Sequence, residues 1–83
     1  MAAIRVFYFA GLRDLVATGE ESLELPGSVV NVGQLARLLE RVHPELAGRL
    51  QGVRLAVNES FANLEDAVED GDVVALIPPV AGG

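Results

Sequence analysis

The sequence predicts an α+β fold: a mixed β-sheet with one main helix packed across it, in the chain order ββαββ. Three observations carry this. Residues 3–9 (A-I-R-V-F-Y-F) are rich in β-branched and aromatic side chains, the composition of a strand. Residues 73–77 (V-V-A-L-I) are apolar at every position, as expected of a strand in the middle of a sheet. Between them, one long stretch repeats apolar residues at helical spacing: Val32, Leu35, Leu39 and Val42.

The elements follow in order. In the first strand Ile4, Val6 and Tyr8 point one way, and Arg5, Phe7 and Phe9 the other. Residues 10–16 have a short helical look, with Leu12, Leu15 and Val16 on one side. Thr18-Gly19-Glu20 is a turn, and residues 21–25 alternate with Leu23 and Leu25 inward before Pro26-Gly27 closes the strand. Asn31 and Gln34 have the spacing of a capping box at the start of the main helix. Arg37 and Arg41 lie on its far side, and Pro44 stops it near His43. His43 is expected to be a helix-end imidazole beside the negative end of the dipole rather than a ligand. Residues 44–52 connect to a third strand at 53–57, with Val53, Leu55 and Val57 inward; residues 61–64 are at most a short strand. The acidic run Glu65, Asp66, Glu69, Asp70 and Asp72 lacks the spacing of a calcium loop and is expected to be a solvated turn.

Placing the first and last strands side by side makes them parallel and lets the helix cover one face. That arrangement is the ubiquitin-like β-grasp. It leaves Phe7, Phe9, Val73, Ala75 and Ile77 on the outer face, an apolar patch of the kind that marks a partner site. The expected interface is Phe7, Phe9, Phe61, Ala75 and Ile77.

Composition narrows the chemistry. The chain has 83 residues, enough for one domain, with 51% hydrophobic residues to build its core. It has no cysteine and one histidine, which argues against disulfides, thiolate chemistry and imidazole metal sites. A net charge of −6 disfavours nucleic acid and suits a partner with a basic surface. No apolar run reaches membrane-spanning length and no signal peptide is expected, so the default location is the cytoplasm. All six basic side chains are arginines, at 5, 13, 37, 41, 49 and 54. Codon bias in a GC-rich genome accounts for that, and so does avoidance of self-attack by an activated C-terminus.

Residues 1–77 are read as the domain and 78–83 as an extended tail. Pro78 and Pro79 cannot donate ladder hydrogen bonds, so they end the last strand and push the chain outward. From Pro78 to Gly83 the tail reaches roughly 20 Å. Pro78, Pro79, Val80, Ala81 and Gly82 are expected to insert into a partner's slot. The glycines suit a slot too narrow for side chains, and Gly83 presents its α-carboxylate.

Five segments carry a resemblance over essentially the whole chain: V-F-Y-F-A at 6–10, L-R-D-L at 12–15, A-V-N at 56–58, D-G-D-V-V-A at 70–75 and I-P-P-V-A-G-G at 77–83. Together they resemble the small, sulfur-carrying subunits of molybdopterin synthases. The resemblance implies that an ATP-dependent activating enzyme adenylates Gly83 and that a sulfur donor converts it to a thiocarboxylate. It implies insertion of the tail into the synthase large subunit, in a heterotetramer of two small and two large subunits. There the sulfur passes to cyclic pyranopterin monophosphate to build the molybdopterin dithiolene. No stably bound cofactor and no metal are implied, and the catalytic residues belong to the large subunit. The chain is then a co-substrate as well as a subunit. Carriers for tRNA thiolation share the fold and the Gly-Gly ending, whereas thiamine-pathway carriers are shorter and lack F-A-x-L-R. A protein modifier that acylates lysines has the same tail chemistry. A plain interaction domain leaves the Pro-Pro stop and the outer patch unexplained.

Overall fold

The computed structural model describes residues 2–79. A five-stranded sheet runs in the order β2-β1-β5-β3-β4. Its strands are β1 (Ala2–Tyr8), β2 (Glu20–Leu25), β3 (Arg54–Val57), β4 (Ser60–Phe61) and β5 (Val73–Ile77). β1 and β5 are parallel neighbours at the centre, and β2 and β3 pair antiparallel outside them. This is the β-grasp, and a period of two along the central strands sorts its faces. Ile4 is 2% exposed, Tyr8 1%, and Val6, Val74 and Leu76 0%.

Helix α2 (Val32–Val42) covers that inner face with Val32, Leu35 and Leu39. The Asn31 side chain accepts from the Gln34 backbone N–H at 2.9 Å, an N-cap that satisfies one of the unpaired donors of the first turn. The reciprocal arm is shifted by one residue: Gln34 Oε1 accepts from Val30 N–H at 2.8 Å rather than from Asn31. The end of the helical stripe also differs from expectation. Val42 is exposed, and Leu46, from the 3₁₀ turn Pro44–Leu46, is fully buried. Pro44 breaks the helix early enough for the next turn to supply the last core residue.

Helix α1 (Gly11–Val16) plugs one end of the core with Leu12 and Val16. The strand expected at 53–57 begins at Arg54, with Leu55 and Ala56 buried while Val53 and Val57 are half-buried. β3 and β4 are joined through Asn58 and Glu59, both at positive φ (50° and 72°), the requirement of a tight twisted hairpin. The acidic run is used to build turns. Asp66 accepts from Asn63 N–H, Asp70 from Ala3 N–H, and Asp72 from Glu69 N–H and Asn58 Nδ2. Gly71, at φ 86°, donates to the Ala3 carbonyl at 2.8 Å, so the turn is tied to β1 before β5 starts.

Candidate functional site

The site is built around the end of β5. Ile77 pairs with Arg54, the last rung of that ladder. Pro78 and Pro79 follow; lacking N–H groups, they cannot extend it. Both line a cleft of 520 Å³ with Gly11, Leu12, Asp14, Leu15, Arg49, Gln51 and Val53. Of the tail residues expected to insert into a partner, Val80, Ala81, Gly82 and the terminal Gly83 lie outside the described residues.

On the outer face the structure brings Phe9, Phe61, Ala75 and Ile77 together. With Ala56 and Glu59 they line a hollow of 240 Å³. Phe9 is 48% exposed and Phe61 56%, over half-buried Ala75 and Ile77. Just after Phe9, Ala10 takes φ 51° and ψ −131°, a conformation that side chains disfavour, and turns the chain sharply out of β1 into α1. Phe7 faces Ala75 across the β1–β5 ladder, on the same outer side, although it does not line that hollow. It is half-buried and lines a separate hollow with Arg13, Thr18 and Glu20, although Phe9 borders both.

Two features escaped the sequence reading. Arg54 stacks on Phe61, its guanidinium carbon 3.8 Å from the ring centroid. This cation–π contact sets a positive charge at the rim of an apolar patch in an acidic protein. It depends on the register of the β3–β4 hairpin, in which Phe61 faces Ala56, two residues from Arg54. The second feature is a polar cluster behind the sheet. Tyr8 donates its hydroxyl to Glu21, and His43 Nε2 lies 2.6 Å from the same Glu21 oxygen. The Tyr8 and His43 rings meet edge-on with centroids 5.8 Å apart, and Glu45 lies 3.8 Å from His43 Nδ1. Burial, followed by the hydrogen bond to Glu21 and the charges of Glu21 and Glu45, pushes the Tyr8 phenol above its usual range. The helix-end histidine therefore ties α2 to β1 and β2. Its ring meets the side chains of Glu21, Tyr8 and Glu45, while its backbone N–H caps α2 on the Leu39 carbonyl.

The arrangement offers docking chemistry. Tyr8, Glu21 and His43 lie behind the sheet, while the tail root and the apolar hollow lie at its end and on its outer face. Among the described residues, no group of three or more His, Cys, Asp or Glu side chains is placed to hold a metal ion. None of the described helices is long and apolar enough to cross a membrane.

The profile of the ThiS family matches residues 6–83. The chain is 38% identical to the molybdopterin synthase sulfur carrier subunit of Mycobacterium tuberculosis, over 100% of both chains. Its fold matches the putative molybdopterin converting factor subunit 1 of Pyrococcus furiosus with a TM-score of 0.83 and 30% identity, covering 96% of this chain and 100% of that one. It also matches the small archaeal modifier protein 1 of H. volcanii, with a TM-score of 0.85 and 26% identity over 96% of this chain and 100% of that one.

Proposed function

Because this chain belongs to the ThiS family, we propose that it is the sulfur carrier subunit of a molybdopterin synthase, with the carboxylate of Gly83 as its reactive group. The observation that supports this most directly is the full-length likeness to carriers of that name, with the I-P-P-V-A-G-G ending attached to the central strand. A carboxylate ionised at neutral pH is a poor electrophile and has to be activated. A Gly83 carboxylate oxygen attacks the α-phosphate of ATP on an activating enzyme, and pyrophosphate leaves. A sulfur nucleophile from a donor then attacks the acyl carbon. The C–S bond forms, the C–O bond to phosphate breaks, and AMP leaves with the electron pair.

The thiocarboxylated tail, Pro78 to Gly83, enters the large subunit, and sulfur passes to cyclic pyranopterin monophosphate. The outer face rests on that subunit through Phe9, Phe61, Ala75 and Ile77, with Phe7 at its margin. The assembly holds two small and two large subunits and works in the cytoplasm. This chain holds no cofactor of its own; ATP is consumed on the activating enzyme.

The test is molybdopterin formation from thiocarboxylated protein and the large subunit, without ATP. Thiocarboxylate, identified by a mass about 16 Da above the carboxylate form, should support product. Equal activity from the carboxylate form would remove Gly83 from the mechanism. The likeness to an archaeal modifier protein favours a second reading, in which the adenylate meets a lysine of a target protein. Conjugates in place of thiocarboxylate, after incubation with ATP, the activating enzyme and target proteins, would favour it.

A further inference from the structure

We propose that the lysine-free body of this carrier, and Arg49 and Arg54 beside the tail root in particular, protect an activated Gly83 from acylating its own chain. This rests on the proposal that Gly83 is activated as an acyl-adenylate. An acyl-adenylate reacts with any unprotonated amine within reach. The lysine ε-amine shifts its pKa readily and serves as a nucleophile; the arginine guanidinium stays protonated and has no free lone pair to attack with.

Geometry puts two arginines where this difference matters. Arg49 lines the cleft whose wall includes Pro78 and Pro79. Arg54 is the ladder partner of Ile77, the last residue before those prolines. Four residues separate Pro79 from the end of the sequence. Four extended residues span about 13 Å, and Arg49 and Arg54 both flank the tail root from which that length is counted. Arg54 also holds the ring of Phe61, and among the described residues no carboxylate lies within ion-pair distance of Arg49. Positive charge is kept at both positions without a nucleophile.

With lysine at either position, the activated tail acylates its own chain. The ε-nitrogen attacks the Gly83 acyl carbon, a C–N bond forms, and the C–O bond to the AMP phosphate breaks. AMP takes the electron pair, and the proton on nitrogen goes to water. The product is a looped chain lighter than the carboxylate form by one water, about 18 Da, and it is dead as a carrier.

The experiment needs no activating enzyme, so its result is independent of whether this chain is adenylated in a cell. The full chain is released from an intein as its Gly83 thioester, in wild type and in the variants Arg49→Lys, Arg54→Lys and Arg37→Lys. Arg37 sits on the exposed side of α2, beside Asn31 and Glu65. Each protein is held at about pH 9, where more of the amine is free, and followed by intact mass. A tethered amine meets the thioester at an effective concentration in the millimolar range, against micromolar for a second molecule. Arg49→Lys or Arg54→Lys should therefore form the looped product at least about tenfold faster than Arg37→Lys, at a rate independent of dilution. If both tail-root variants form it no faster than Arg37→Lys, arginine at the tail root reflects composition alone and the proposal fails.

Discussion

Alkaline pH should destabilise this protein through a single side chain, Tyr8. The chain has one tyrosine, no cysteine and no lysine, so no other side chain titrates between about pH 9 and 12. The Tyr8 hydroxyl donates to Glu21, and burial together with that carboxylate holds the phenol above its ordinary range. In the unfolded chain it ionises near pH 10. The folded chain therefore keeps a proton that the unfolded chain releases. Stability is full below about pH 10 and falls as the pH rises toward the folded value. At about pH 11.5 the unfolded phenol gains roughly 2 kcal/mol from ionisation that the folded one does not. A chain this small has a urea slope of about 1 kcal/mol/M, so the unfolding midpoint should drop by roughly 2 M between pH 9 and 11.5. Tyr8→Phe removes the titrating group, and its midpoint should stay level over the same range. Urea melts followed by circular dichroism decide the matter. A wild-type profile parallel to that of Tyr8→Phe would show that the Tyr8 phenol is not the group that responds.

Further outcomes follow from the same geometry. Phe61→Ala should weaken binding to the synthase large subunit about 30-fold by calorimetry: half of a phenylalanine surface is roughly 100 Å², worth about 2 kcal/mol when a partner covers it. A dissociation constant within threefold of wild type would remove Phe61 from the interface. Asn31→Ala should cost about 1 kcal/mol in urea melts through loss of the α2 cap, and an unchanged midpoint would mean the cap is replaced by water. Leu35→Ala, at a site with 0% exposure against the sheet, should cost about 3 kcal/mol; a loss below 1 kcal/mol would place Leu35 outside the tightly packed core.

The elements that define the fold were legible because their signals are local. The alternation in β1, the unbroken apolar run of β5 and the stripe Val32, Leu35, Leu39 each fix a face within a few residues. The features that were not legible depend on a residue in another element. Val42 continues the helical stripe on paper, but Leu46 takes the core position and leaves Val42 exposed. Ala56 was counted on neither face, yet it is buried beneath the Phe9 and Phe61 hollow. The cluster of Tyr8, Glu21 and His43 joins residues from β1, β2 and the end of α2, and no spacing in the sequence points to it. Arg54 on Phe61 depends in the same way on a two-residue strand that the sequence barely marks.

The division of faces explains how one small sheet can serve both folding and docking. α2 covers one side only, and there Val74 and Leu76 are sealed at 0% exposure. The alternate residues of the same strand, Ala75 and Ile77, floor the apolar hollow on the other side. β5 is paired along both edges, to β1 and to β3, so it is held as a central strand. The tail root is the continuation of that strand. A partner seated on the hollow therefore meets Pro78 at a fixed offset along one stiff backbone. A register slip of one residue would turn the hollow's floor toward the helix and carry the tail root with it. The turn at Gly71, tied to the Ala3 carbonyl, sets that register at the start of β5. The acidic turn is thus part of what positions the tail, although it lies at the opposite end of the strand.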